Sequence, residues 1–297
     1  MKLLHKSQNI ICSIYDTSLT QPYIVKLRLV VIPTYNEIEN IEAIIRKVFS
    51  LPDPFDVLVV DDGSPDGTAR RVRDLQDEFP ASGPADQSRR LYLLERRGKL
   101  GLGTAYIDGF KWALSRGYQY LFEMDADFSH NPEDLIKLYD ACAIDNPQAG
   151  QNRADVAVGS RYIKGVNVVN WPMGRVLMSY FAGVYVRFVT GMSIMDPTAG
   201  FVCYRADVLE VILHNPIKFV GYAFQIEMKF TCWKYGYRIT EVPIIFTDRT
   251  RGVSKMSSKI FKEAVFGVLQ MKISSFFRHY IPRGEAALIA EEPVDAV

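Results

Sequence analysis

From Lys26 onward the sequence alternates between strand-like and helix-like segments, and this alternation limits the folds open to it. "KLRLVVIP" reads as a strand and "NEIENIEAIIRKVFS" as a helix. "FDVLVV", a charged helix over 69–79, "LYLLER", the helix "TAYIDGFKWALSRG" and the strand "YQYLFEM" follow in turn. Apolar runs give way to helical segments, the first of which carries an apolar stripe of Ile38, Ile41, Ile45 and Val48. Asn36 is placed as that helix's N-cap, with Glu39 three residues on as in a capping box. "EFPASGPADQSRR" is a surface loop by its Pro, Gly and Ser content. Repetition of this kind predicts an α/β fold, a mostly parallel central sheet flanked by helices, with ligands bound at the strand carboxyl ends.

Beyond residue 150 the pattern loosens. "DVAVGSRY" is a strand, 170–192 is helical, "DPTAGFVCYRADVLEVI" runs from loop to helix, and "YRITEVPIIF" is a late strand. A net charge of +1 gives no global reason to expect a nucleic-acid partner. Cys12, Cys142, Cys203 and Cys232 form no C-x-x-C pair, which points to reduced thiols and away from zinc. Residues 1–25 lack an apolar core and a small-residue cleavage site, and read as an extension and not a signal peptide. No window holds the ~18–20 uninterrupted apolar residues of a spanning helix. The nearest, 176–192, carries Arg187 and several hydroxyls, so a soluble or peripheral protein is expected.

The stretch "EMDADFSHNPED" (123–134) sets Asp125 and Asp127 just past a strand. Asn131 suits the N-cap of the next helix, Pro132 its first position, and Glu133 and Asp134 the positive end of its dipole. Two carboxylates on such a loop are either ligands for a hard divalent cation, Mg²⁺ or Mn²⁺, shared with a diphosphate, or a solvated turn. His130 is expected at the surface or capping a helix. "DDGSPDGT" (61–68) imitates an EF-hand start, but position twelve is Arg73 where a Glu is required. It is therefore an ordinary turn, or a site where Asp62 holds a base or ribose. "RRGKLGLGTA" fails both the P-loop and the dinucleotide fingerprints, since Leu100 follows Gly98-Lys99 and Tyr106 stands where a glycine is needed. It reads as a mobile surface loop, or as a basic flexible one (Arg96, Arg97, Lys99) that closes over an anion.

Together "PTYNE" (33–37), "DDGSPDGT" (61–68), "KLGLGTAY" (99–106), "DADFSHNPE" (125–133), "GSRY" (159–162), "DPTAGF" (196–201), "GYAFQIEM" (221–228) and "RTRGVSK" (249–255) are more specific than any one alone. In their order and spacing, over roughly Leu27 to Phe277, the chain resembles the polyprenol (dolichol) phosphate mannosyltransferases. These are inverting family 2 glycosyltransferases of the Rossmann-like GT-A fold. The resemblance implies a GT-A domain over 26–248. After it come an acceptor-side loop and amphipathic interfacial helix over 249–281, and a disordered tail over 282–297.

Carried onto this sequence, the resemblance implies that Pro33, Tyr35, Glu37, Asp61, Asp62, Asp125 and Ala126 hold the donor nucleotide. Asp125 and Asp127 would hold Mg²⁺ or Mn²⁺. Some relatives carry a glutamine ligand two residues on, where this chain has Ser129, so the hydroxyl or a water would stand in. Arg161, Arg175 and Ser160 would meet the acceptor phosphate. Asp127, Arg249 and Lys255 would be catalytic, with Asp196, Gln225 and Glu227 orienting loops. The implied reaction moves mannose from GDP-mannose to a polyprenyl or dolichyl phosphate with inversion. A phosphate acceptor is already anionic near neutral pH and needs no strong base, and the Q-x-x-R-W signature of sugar-hydroxyl transferases is missing. Two rivals stay open: a UDP-glucose-dependent sibling, and a noncatalytic nucleotide-sugar-binding module that recruits a membrane partner.

A membrane association is expected from the carboxyl-terminal segment. Ile260, Phe261, Ala264, Val265, Val268, Leu269, Ile273 and Phe276 fall on one helical face, and basic residues outnumber acidic ones between Asp248 and Tyr280. Such a helix either packs on the domain, docks on a membrane-anchoring subunit or lies on the cytoplasmic face of a membrane. The helix over 176–192, with Phe181, Val184, Tyr185 and Phe188, is a second candidate.

Overall fold

A computed structural model describes residues 27–82, 89–143, 153–249, 258–278 and 280. The N-terminal extension (1–25), Lys255 and the tail over 282–297 lie outside the described residues. Four strand–helix units open the chain: β1 (Arg28–Thr34), α1 (Ile41–Phe49), β2 (Asp56–Asp61), α2 (Thr68–Gln76), β3 (Leu91–Glu95), α3 (Leu102–Leu114), β4 (Tyr120–Glu123) and α4 (Asp134–Cys142). Then come β5 (Val156–Ser160), β6 (Val168–Val169), α5 (Met173–Thr190), β7 (Val202–Arg205), α6 (Ala206–Ile212), α7 (Tyr222–Lys234), β8 (Ile239–Pro243), β9 (Phe246–Thr247) and α8 (Ser258–Ser275).

Among the described residues the main sheet has seven strands in the order β3-β2-β1-β4-β7-β5-β8. Of these described strands only β7 is antiparallel, paired to β4 on one side and β5 on the other. The α/β expectation holds, with one addition: residues 202–205, read as part of a loop-to-helix run, form a central strand. Four residues carry little periodicity of their own, and their strand identity comes from pairing with β4 and β5.

Both sheet faces are covered, as the unbroken apolar runs of β1 and β2 require. On one face Val30, Ile32, Val57 and Val59 pack under α1, α2 and α4; on the other Leu29, Val31, Leu58 and Val60 pack under α3, α6 and α7. A third cluster joins α5, α7 and α8 through Val186, Ile226, Phe230, Val268 and Met271.

Three local expectations are corrected. Asn36 is not a helix cap: it sits at φ 57° and donates its N–H to Ser64 Oγ, while α1 begins at Ile41 after a turn in which Glu37 O accepts from Asn40 and Ile41. The capping box at Glu39 is accordingly absent, and Ile38 is exposed instead of joining the buried stripe. At α4, Asn131 Oδ1 does accept the Glu133 N–H at 3.1 Å, but the regular helix starts at Asp134.

The single apolar face assigned to the last helix splits in two. Val268 and Met271 are buried against α5 and α7, while Leu269, Ile273 and Phe276 are exposed. The side chains of Ile260, Phe261 and Ala264 lie outside the described residues.

Candidate active site

The carboxyl ends of β1 and β2 are tied into one loop cluster by short polar residues. Buried Asp61 accepts from Thr34 Oγ1 (2.8 Å), Ser64 Oγ (2.6 Å) and Ser64 N (2.8 Å). Glu37 N donates to Thr68 Oγ1 and Ile38 N to Asp66 Oδ2, so the "PTYNE" and "DDGSPDGT" segments hold each other. Pro33, Tyr35 and Glu37 are half-buried along this rim. Asp61 has turned inward and its oxygens serve the turn. Ala126 likewise packs its side chain into the core.

Asp62 holds the neighbouring glycine-rich loop. Its Oδ1 accepts Arg96 Nε at 2.6 Å, its Oδ2 accepts Leu100 N at 3.2 Å, and Arg96 also reaches Thr104 Oγ1, Asp108 and the Gly101 carbonyl. Arg96, read as part of a mobile basic loop, is instead an internal strut with its side chain 5% exposed. Arg97 and Lys99 are exposed, and Lys99 Nζ lies 4.7 Å from the Tyr35 ring centre. Gly101 adopts φ 108°, where an added Cβ would also meet Val220 at 3.3 Å, so the turn into α3 calls for glycine.

The D-x-D loop follows β4. Asp125 is half-buried, and its N–H donates to His130 Nδ1 at 3.3 Å. Asp127 is buried: Oδ1 accepts the Ser129 N–H at 3.0 Å and Oδ2 pairs with Arg249 Nη2 at 2.9 Å. Burial opposes ionisation of Asp127, but the Ser129 hydrogen bonds and the Arg249 charge prevail and hold it below the usual carboxylate range. His130 is not at the surface. It is buried, stacked on Phe201 with Phe246 edge-on, and desolvation pushes it down to about 4, so it is a neutral support of the loop.

Opposite stand the arginines. Arg161 Nε and Nη2 each meet Asp196 at 2.7 Å, the Arg161 N–H adds 3.0 Å, and Nη2 also reaches Thr198 Oγ1 at 2.9 Å. Burial would raise Asp196, but the Arg161 charge and hydrogen bonds keep it low. Arg175 pairs with Asp248 at 2.9 Å and lies over the Trp171 ring at 4.2 Å.

A cavity of about 430 Å³ opens between these groups, lined by Asp125, Asp127, Ser129, His130, Arg161, Arg175, Gln225 and Arg249. Its remaining wall is largely apolar: Trp171, Met178, Phe181, Tyr185, Val186, Phe246, Val265 and Val268. Pro33, Tyr35, Glu37 and Asp62 belong to the adjoining loop cluster and do not line it. Neither does Ser160, buried with its Oγ accepting Tyr162 N at 3.3 Å. Glu227 accepts Lys218 N and Phe219 N on another side of α7. Trp171 and Thr198 were missed; both flank motif arginines or aspartates in sequence, but nothing local marks them.

Among the described residues no group of three or more His, Cys, Asp or Glu side chains is placed to hold a metal. Asp125 and Asp127 supply two carboxylates, with Asp127 held ionised. That set suits a hard cation that keeps few protein ligands.

Residues 29–213 match the family model described as Glycosyl transferase family 2. The chain is 46% identical over 245 residues to the polyprenol monophosphomannose synthase of Mycolicibacterium smegmatis, covering 82% of this chain and 86% of that protein. It is 42% identical to the undecaprenyl-phosphate mannosyltransferase of Micrococcus luteus (83% and 94% covered) and 34% identical to the dolichol-phosphate mannosyltransferase of Pyrococcus furiosus (79% and 60%). Among solved structures, glucosyl-3-phosphoglycerate synthase from Mycobacterium tuberculosis, in complex with Mn²⁺, UDP-glucose and glycerol 3-phosphate, superposes with TM-score 0.56 at 16% identity over 86% of this chain and 87% of that one. TarS 1-349 from S. aureus with UDP-GlcNAc gives 0.55 at 19%, covering 89% and 70%. At such identities these two share the fold alone.

Removing the counter-charge of buried Arg161 strands a guanidinium. Asp196→Asn is expected to cost about 3–5 kcal/mol of stability, measured by urea unfolding. Asp248→Asn, at a half-exposed pair, should cost under about 1 kcal/mol.

Proposed function

The chain belongs to glycosyl transferase family 2, and from that premise we propose that it transfers mannose from GDP-mannose to a polyprenyl phosphate, giving polyprenyl phosphate-mannose and GDP with inversion. The observation that carries this reading is the composition of the cavity. Its lining combines the Asp125 and Asp127 carboxylates with the guanidinium groups of Arg161, Arg175 and Arg249 and an apolar wall that includes α5 as far as Phe181, which is 62% exposed. A lipid phosphate needs this combination, cationic partners for its head and a greasy path for its chain. The names of the relatives at 34–46% identity support the same lipid class and sugar.

In this reading the guanosine lies along the "PTYNE" and "DDGSPDGT" rim, and Asp125 and Asp127 would hold a divalent cation beside the diphosphate. Mg²⁺ or Mn²⁺ held there would neutralise diphosphate charge. The side chains of Asp125 and Asp127 fit that role, with Ser129 or a water beside them. Arg161 and Arg175 receive the acceptor phosphate, their guanidinium planes fixed by Asp196 and Asp248. Because the phosphate is ionised near neutral pH, its oxygen attacks C1 in line without a strong general base. Arg249, which contacts Asp127 in the free chain, stabilises charge developing on the departing GDP, with Lys255 assigned to the same loop.

Labelled GDP-mannose, a short polyprenyl phosphate in detergent and Mg²⁺ or Mn²⁺ should give a chelator-sensitive mannosyl lipid. Asp127→Ala should lower turnover at least ~100-fold. Glucosyl lipid alone, from UDP-glucose run in parallel, would keep the chemistry and replace the donor. Nucleotide binding with no transfer from either donor would favour the noncatalytic module.

Peripheral attachment to the cytoplasmic face of a membrane belongs to the same proposal. No described helix is long and apolar enough to cross a membrane. On α5, Met173 and Phe188 are 70% and 88% exposed; on α8 and just after it, Phe266, Phe276 and Phe277 are 72%, 74% and 87% exposed. The two helices touch through Tyr185 Oη and the Val265 carbonyl. Side chains of this size left in water over two adjoining helices mark a lipid or protein contact. Flotation with anionic vesicles should recover the chain, and Phe181→Asp with Phe276→Asp should release it. Recovery unchanged by both substitutions would shift the patch to a membrane-anchoring subunit.

A further inference from the structure

Among the buried ionisable groups that the transfer chemistry leaves without a role are Glu123, the last residue of β4, and Lys229 on α7. Strand alternation turns Glu123 to the face of Leu121, under α3 and α7, where the neighbouring side chains are apolar. It is wholly buried, and neither carboxyl oxygen has a hydrogen-bond partner of normal geometry among the described residues. Lys229 is buried to the same degree, and desolvation pushes it down to about 8.

The ammonium of Lys229 donates to Ala199 O at 2.6 Å, Gln225 O at 2.9 Å and Gln225 Oε1 at 3.2 Å. Each acceptor belongs to a wall of the cavity. Gln225 lines it directly, one turn before Lys229. Ala199 lies between Gly200, another lining residue, and Thr198, which holds Arg161 Nη2. No ion pair within 4.0 Å joins Lys229 to Glu123 among the described residues, and the Gln225 amide contacts one and influences the other. An apolar side chain at 229 would satisfy the packing of α7 without the several kcal/mol that a buried charge costs. The charge therefore has another use.

We propose that Lys229 is a positioning residue for the transfer step: through Ala199 O and Gln225 it locks the 198–200 segment and the Gln225 side chain to α7. This sets the distance between the Asp125/Asp127 side of the cavity and Arg161. The inference rests on the transfer reading above for its kinetic consequence, but the locking itself is independent of it.

The test compares the full chain with Lys229→Met and with the double variant Glu123→Gln/Lys229→Met. Amide hydrogen exchange over 198–203 should quicken at least ~10-fold in folded Lys229→Met, with β1 and β2 unchanged. Turnover per folded molecule should fall ~10- to 100-fold while KM for GDP-mannose stays within about twofold. The double variant, which removes both buried ionisable groups, carries the same expectations if the single one does not fold. It should regain stability without regaining turnover. Unchanged exchange over 198–203, or exchange that quickens uniformly with full turnover per folded molecule, would overturn the proposal. If the unmodified chain transfers neither sugar, the reaction assignment falls and the exchange comparison alone decides the locking.

Discussion

The pair formed by Arg161 and Asp196 is the contact on which the cavity depends. Arg161 follows β5 and Asp196 lies in the loop before β7, so their bidentate bond ties the antiparallel strand's entry to the end of its neighbour. Asp196 and Met195 are in turn held through their N–H groups by Glu241 of β8. A guanidinium this enclosed is costly unless matched. Once matched, it offers a fixed plane to the cavity. The arrangement puts a cation at a constant place across from the D-x-D loop.

The same logic runs through the rest of the site. Asp62 is held by Arg96, Arg175 by Asp248, and Asp127 by Arg249. Asp62, Arg175 and Asp127 thus each have an internal counterpart that orients the side chain. Such preorganisation limits the reorganisation needed when two anionic substrates are brought together. The apolar wall between the charged sides raises the strength of these interactions by excluding water.

How much of this was readable from residues follows from the range of the forces involved. β1 to β4 and their helices lie where the local pattern puts them, because an apolar run and a helical stripe are local signals. The D-x-D was found at a strand end for the same reason. β7 was not found, since its four residues become a strand only through β4 and β5. Arg96 looked like a mobile loop cation because its partners Asp62 and Asp108 are 34 and 12 positions away. Asn36 looked like a cap because Ser64, which takes its N–H, is 28 positions away. In α8 the stripe was visible, but which residues of it meet α5 and α7 depends on packing that no single helix encodes. Lys229 had a faint signal, a charge one turn after Gln225 inside an apolar helix.

The central claim is that a metal-bound diphosphate sits between Asp125/Asp127 and the arginines. Anomalous diffraction from crystals of the full chain grown with Mn²⁺ and GDP-mannose tests it most directly. The account predicts a manganese peak in coordination contact with Asp125 or Asp127 and with the diphosphate, inside the cavity and within reach of Arg249. A diphosphate bound elsewhere, or a metal site remote from both aspartates, would contradict it.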